Sequence, residues 1–258
     1  MSSASDHPML DLENVGFYYH SDRRVIDGIS FSIRNGEFIG LLGANGSGKS
    51  TILKLADGIL NPCSGQIRLW GKPLQTYRNK DRAKLLCYLP QLLDINIPFK
   101  VRELVGMGIY PYDIQPQMTV DEAIESVGLG DKAESYITNL SGGERRRVFI
   151  AMTLVQGAGI LLLDEPLANL DIKYQIELLK LLKELKDKKG ISIIMALHDI
   201  NIALKFEKVI LIKEGRILGI GNSDAILKGE ILKDAFDVGI EVVRHEHGEA
   251  YISYGNNF

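Results

Sequence analysis

Phe38-Ile39-Gly40-Leu41-Leu42-Gly43-Ala44-Asn45-Gly46-Ser47-Gly48-Lys49-Ser50-Thr51 joins an apolar run to a glycine loop, and a helical stretch begins at about Lys49. Five apolar or small residues in a row leave no wet face, so the run reads as a buried strand of a parallel sheet. From Gly43 onward the residues fill the pattern G-x-x-x-x-G-K-[ST], placed between strand and helix as its mechanism requires. The glycines let backbone N–H groups turn inward around phosphate oxygens, and the helix N-terminus adds partial positive charge. Lys49 can reach β- and γ-phosphates and Ser50 can ligate Mg2+, while Gly43, Asn45, Gly46, Ser47, Gly48 and Thr51 complete the cradle.

Farther along, Ile160-Leu161-Leu162-Leu163-Asp164-Glu165 is a second apolar strand, and it ends in two acids. The ends of parallel strands are where the phosphate loop should also lie. Asp164 can hold Mg2+ through its water shell, and Glu165, aimed differently, can polarise a water attacking the γ-phosphate. Buried strands are also legible at Leu85–Leu89 and Ile191–Leu197. Before the latter runs an amphipathic helix with Ile172, Ile176, Leu179, Leu182 and Leu185 on one face and Gly190 as its stop.

Early in the chain, alternation at Leu10 and Leu12 and at Ile29, Phe31 and Ile33 predicts two half-exposed antiparallel strands. Between Gln91 and Gly157, prolines 98, 111 and 116 punctuate helical pieces such as Val101–Met107 and Asp121–Val127. Val209–Lys213 and Arg216–Ile220 flank Glu214-Gly215 as a hairpin, Asp224–Phe236 reads as helix, and Ile240–Val243 pairs with Ala250–Tyr254. The expected fold is therefore α/β, a P-loop core with an antiparallel β region and a helical insert. Residues 1–91 and 157–221 make the core, 92–156 the insert and 222–258 a C-terminal appendage.

Composition narrows the function. With 258 residues, 45% hydrophobic and 24% charged, the chain has ample material for a buried core. Thirty basic against 33 acidic residues leave a formal charge of −3, which argues against a nucleic-acid partner bound through a basic surface. Cys63 and Cys87 are too few and too far apart for a disulfide framework or zinc cage, and read as reduced buried thiols. The first eight residues lack the basic start and apolar stretch of a secretion signal. The longest uncharged run, between Arg147 and Asp164, falls short of the roughly 18 apolar residues a membrane span needs. Work at a membrane would then proceed by docking onto another protein.

Leu140-Ser141-Gly142-Gly143-Glu144 comes after the phosphate loop and before the acids, and it opens a helix. Ser141 as cap and the amides of Gly142 and Gly143 make a second anion site, which one chain has no evident need for if its phosphate loop already holds the nucleotide. With this element the chain resembles the ATP-binding cassette (ABC) ATPase family, and the resemblance covers nearly its whole length. It implies ATP and Mg2+ as ligands, and a second copy of the chain whose signature closes over the γ-phosphate held by the first. It also implies that Tyr19 stacks on adenine, with Phe17 and Tyr18 as the neighbouring alternatives. Gln91 matches the glutamine that senses Mg2+ and attacking water. Asn169-Leu170-Asp171 matches the loop facing the opposite protomer, and His198 the switch histidine that contacts the γ-phosphate.

Less specific runs at residues 101–111, 198–204 and 230–236 resemble the branch serving bacterial and archaeal importers of iron-siderophores, haem, cobalamin and related metal-containing solutes such as molybdate. That branch implies separate transmembrane permease subunits, an extracytoplasmic substrate-binding protein acting indirectly, and a place at the cytoplasmic face of the membrane. Ile97, Phe99 and Ile109, near Gln91 and Tyr110, are candidates for the cleft that receives the permease, and core packing is the competing role. An ABC ATPase for another solute, or a soluble one without a permease, is the alternative function. His245 and His247, bracketing Glu246 before Gly248, read as rings on a solvated strand face rather than as a metal site.

Overall fold

Leu10 and Leu12 lie buried on β1 (Leu10–Tyr18), and Ile29, Phe31 and Ile33 on β2 (Arg24–Ile33). The strands pair antiparallel with Leu12 opposite Phe31 and Leu10 opposite Ile33, so the alternating apolar rows share one face. The computed structural model describes residues 8–20, 24–91, 97–112, 118–244 and 250–254. The chain divides into two compact units, Met1–Leu74 with Ile194–Phe258, and Gln75–Ile193.

In the first unit β3 (Phe38–Leu42) runs into the glycine loop and α1 (Lys49–Asp57), which ends at Gly58 in the left-handed region (φ 79°). β4 (Ser64–Leu69) pairs with β1, and the short β5 (Lys72–Pro73) completes a sheet of order β2-β1-β4-β5.

The second unit begins with α2 (Asn79–Ala83), β6 (Leu86–Leu89), α3 (Val101–Gly106), α4 (Val120–Ser126) and α5 (Gly142–Gln156). β7 (Ile160–Leu163) and α6 (Ile172–Lys189) follow, and β6 and β7 pair in parallel from Leu86–Ile160 to Leu89–Leu163. All four residues of β7 are buried, as an apolar run without alternation requires. On α6 the buried residues are Leu178, Leu182 and Leu185, whereas Ile172 and Ile176 are 75% and 42% exposed. The helix carries two overlapping apolar stripes, and Ile172 and Ile176 fall roughly 110–150° around its axis from the buried trio. Leu182 and Leu185 of the expected face are buried, and Leu178 joins them where Ile172 and Ile176 do not.

β8 (Ser192–Leu197) leads back into the first unit, followed by α7 (Ile200–Ala203), β9 (Lys208–Lys213) and β10 (Arg216–Asn222). There the order is β10-β9-β3-β8, with β9 parallel to β3. Glu214 and Gly215, at φ 46° and 76°, make the hairpin turn between β9 and β10. The helix expected over Asp224–Phe236 is two, α8 (Ser223–Ile226) and α9 (Gly229–Phe236), because Leu227 leaves the helical region at ψ 65°. β11 (Ile240–Arg244) and β12 (Ala250–Tyr254) form the expected hairpin. His245 and His247 lie outside the described residues. Cys87 is buried as expected but Cys63 is exposed, since it precedes the edge of β4 rather than facing a core.

Candidate functional site

β3 delivers the chain to Gly43, where a Cβ would stand 2.4 Å from the Ile212 carbonyl oxygen and 2.7 Å from Ser47 Oγ. Only glycine fits so close a passage. Gly48 caps α1 at φ 107°, and a Cβ there would meet Ile26 Cδ1 at 2.7 Å. α1 has no acidic residue in its first turn, so no carboxylate on that turn offsets the positive end of the helix. Lys49, 4% exposed, donates from Nζ to the carbonyls of Gly43 (2.8 Å) and Ala44 (3.1 Å), which places its charge inside the loop. Ser47 Oγ is buried and meets no hydrogen-bond partner among the described residues. An unpaired buried hydroxyl costs roughly 1–3 kcal/mol, a cost that a phosphate oxygen accepting from it would remove. The tight glycines, the enclosed ammonium and the orphaned hydroxyl thus fit a polyphosphate.

Tyr19 reaches this loop. It is half exposed, and its hydroxyl lies 3.2 Å from Thr51 Oγ1. Phe17 is buried and packs edge-on against the Tyr19 ring at 4.9 Å between centroids, while Tyr18 is exposed with no such link to the loop among the described residues. In the same unit, His198 is exposed at the end of β8. Asp199 next to it caps α7, accepting from the backbone N–H groups of Asn201 (2.8 Å) and Ile202 (3.4 Å).

The acidic pair belongs to the second unit. Asp164 is 5% exposed, and Tyr88 donates its hydroxyl proton to Asp164 Oδ2 at 2.9 Å. In the sequence Tyr88 is marked only as a polar-tipped aromatic inside an otherwise apolar parallel strand, and the strand alone does not say what its hydroxyl meets. Glu165 sits at φ 45°, an unusual conformation for a side-chain-bearing residue, and so does Asn169 at φ 59°. Gln91 Nε2 donates to Glu165 Oε2 at 2.8 Å, joining two residues that the sequence places far apart. Asp171 caps α6 by accepting from Tyr174 N at 3.1 Å, and Gln175 Nε2 ties back the Leu170 carbonyl at 3.0 Å.

Ser141 caps α5 in a reciprocal box: Glu144 N donates to Ser141 Oγ (3.3 Å), and Ser141 N donates to Glu144 Oε2 (2.9 Å). The Lys132 ammonium pairs with Glu144 and is the main reason its carboxyl titrates below the ordinary value of 4.5. Ser141 and Gly142 remain exposed, whereas Gly143 is buried with its Cβ position 3.3 Å from the Tyr174 ring. The three arginines that follow diverge. Arg145 donates to the carbonyls of Ile137, Thr138 and Leu140, and Arg147 pairs with Glu177 at 2.5 Å. Arg146 is half-buried with one terminal nitrogen unpaired among the described residues, and burial lowers its pKa.

Tyr19, the loop 43–51 and His198 therefore belong to one unit, and Gln91, Asp164, Glu165, the signature and Asp171 to the other. A family profile described as ABC transporter matches residues 26–168. The chain is 37% identical over 237 residues to the petrobactin import ATP-binding protein FpuC of Bacillus anthracis, covering 89% of this chain and 87% of that one. It is 36% identical over 240 residues to the hemin import ATP-binding protein HmuV of Rhodopseudomonas palustris, covering 88% of each. CbiO1 of Clostridium perfringens, part of the ABC transporter complex CbiONQ, superposes with a TM-score of 0.76 at 30% identity, over 88% of this chain and 93% of that one. A profile match over more than half of the chain and relatives alike over nearly its whole length show that this chain belongs to the ABC transporter family and is one of its ATP-hydrolysing cassettes.

Proposed function

We propose that this chain energises the import of an iron chelate, haem, cobalamin or a related metal-containing solute through separate transmembrane permease subunits, working at the cytoplasmic face of the membrane. No helix among the described residues is long and apolar enough to cross a membrane. The observation that carries the cargo class is the near-full-length likeness to two relatives named for petrobactin and hemin import.

The residues divide the work of hydrolysis. Tyr19 stacks on the adenine, the loop amides from Gly43 to Thr51 grip the phosphates, and Lys49 balances charge on the β and γ groups. Ser50, Asp164 and Gln91 offer hydroxyl, carboxylate and amide oxygens, the hard donors Mg2+ takes, and Tyr88 holds Asp164 in place. When bound, that ion neutralises charge between the phosphates. Glu165, held by Gln91, accepts the proton of the attacking water as the water oxygen bonds to the γ-phosphorus and the bond from that phosphorus to the β–γ bridging oxygen breaks, releasing ADP and phosphate, while His198 steadies the γ-phosphate. A second copy supplies Ser141, Gly142 and Gly143 to the same phosphate, with Asp171 on the loop that faces the other protomer, so two chains enclose two nucleotides. ATP binding closes that sandwich and hydrolysis reopens it, which moves the permease through alternating access.

Deleting the chain in its native host and measuring uptake of iron chelates, haem, cobalamin and molybdate tests the cargo. Loss of uptake of one of these is expected. Unaltered uptake of all four overturns the cargo assignment and leaves the ATPase standing.

A further inference from the structure

The C-terminal hairpin is bonded to the segment that carries His198. Ile252 N, on β12, donates to Asn201 Oδ1 at 2.9 Å, across 51 residues of chain. Asn201 N in turn donates to Asp199 Oδ1 at 2.8 Å, and Asp199 is covalently next to His198. Two hydrogen bonds and one peptide link therefore lead from the outer hairpin to the histidine.

The surroundings make this linkage stiff on the core side. Leu197 is 3% exposed, and Ile200 and Ala203, on α7, are also buried. Phe206 is 2% exposed and packs on Phe38 at 4.5 Å between centroids. Leu197 and Phe206 both crowd Gly40 of β3, at 3.2 and 3.3 Å from where its Cβ would be. On its other side the segment reaches solvent, and His198 and Asn201 are both exposed. Ile252, 8% exposed, is the hairpin residue sunk beside it. The hairpin is itself carried by an anchored element. Lys213, near the end of β9, donates to Asp237 Oδ1 at 2.9 Å and to Asp234 Oδ1 at 3.2 Å, where α9 ends just before β11 begins.

We propose that Asn201 is a positioning residue for hydrolysis: it fastens the C-terminal hairpin to the cap of α7 and thereby fixes where His198 stands. The inference rests on His198 acting at the γ-phosphate. A side-chain amide suits the task because its oxygen accepts from Ile252 N while the backbone N–H of the same residue serves the Asp199 cap. If the hairpin were mere covering, loss of Oδ1 would lower stability and leave turnover alone.

The experiment compares Asn201→Leu, which keeps the size and removes the acceptor, with Asn201→Asp, which keeps an acceptor oxygen. In the full chain, Asn201→Leu should lower kcat about three- to tenfold while KM for ATP and affinity for ADP, which has no γ-phosphate, stay as in the wild type. Asn201→Asp should restore most of kcat. Added to His198→Ala, Asn201→Leu should bring no further loss, since the group it positions is gone. Wild-type kcat in Asn201→Leu, with His198→Ala impaired, overturns the positioning role and leaves His198 in place. An equal further loss in the His198→Ala background, or failure of the Asp variant to rescue, assigns the effect to general structure and also overturns it. Wild-type turnover in His198→Ala itself removes the histidine's role and this inference with it.

Discussion

Glu165 combines a strained backbone with a hydrogen-bonded carboxylate at the end of a buried strand. Its backbone sits at φ 45°, a conformation that costs about 1–3 kcal/mol for a residue with a side chain, and its carboxylate receives the Gln91 amide at 2.8 Å. Asp164 beside it is buried and held by Tyr88, so adjacent acids point to separate tasks, one fixed inside and one presented at the strand end. Glu165→Gln keeps the shape and the backbone preference while removing the base. The variant should bind ATP normally, hydrolyse it roughly 10²- to 10⁴-fold more slowly, and accumulate as a dimer, because closure needs the γ-phosphate and opening needs its loss. Turnover assays and size-exclusion chromatography with ATP read both effects. Near wild-type hydrolysis would take Glu165 out of its assigned role.

At the scale of an element, the start of α5 is organised by Glu144, whose carboxylate serves the Ser141 cap and the Lys132 ammonium together. Its pKa is lowered in the folded protein, chiefly by Lys132. The stability it contributes is therefore fully present above the unfolded value near 4.5 and is lost as pH falls through the lower folded value. Glu144→Gln retains a capping acceptor but not the charge, so its melting temperature should lie below wild type at pH 6–7 and converge on it in acid, once the carboxyl is protonated in the folded protein as well. A constant gap at every pH would refute the charge as the cause. Elements like this one were legible because a cap, a glycine and an apolar run are local signals. The burial of β7 and the turn at Glu214-Gly215 follow from residues adjacent in sequence. What escaped reading depends on partners elsewhere in the chain. Which part of the apolar face of α6 is buried depends on what packs there, and the break at Leu227 lies just before Gly229, a single glycine inside an otherwise helical pattern. The hydroxyl of Tyr88 and the orphaned Oγ of Ser47 gain meaning only once the acid and the loop stand beside them.

For the whole molecule, the decisive point is that one chain carries two sets of glycines that open helices, one in the phosphate loop and one in the signature. The loop at Gly43–Thr51 starts α1, and the Ser141-Gly142 turn starts α5, with Ser141 and Gly142 left exposed. If the signature served its own chain's nucleotide, a defect in either set would damage the same site. If it serves a second copy in a head-to-tail sandwich, the two defects fall on different sites and can complement. Lys49→Ala spoils the loop of the chain that bears it, and Ser141→Arg spoils only the site completed by that chain's signature. Each variant alone should be nearly inactive, with Ser141→Arg monomers still binding ATP as the wild type does. In a mixed dimer, one site combines both lesions and is dead, while the other takes an intact loop from the Ser141→Arg chain and an intact signature from the Lys49→Ala chain. Equal mixing with random pairing puts half the dimers in the mixed form, each with one intact site of two, so about a quarter of the wild-type sites are whole. Where the two sites act independently, ATPase activity should rise towards that fraction on mixing and fall again when one variant is in large excess. Monomers of Ser141→Arg that no longer bind ATP would place the signature at its own chain's nucleotide and end the composite-site reading.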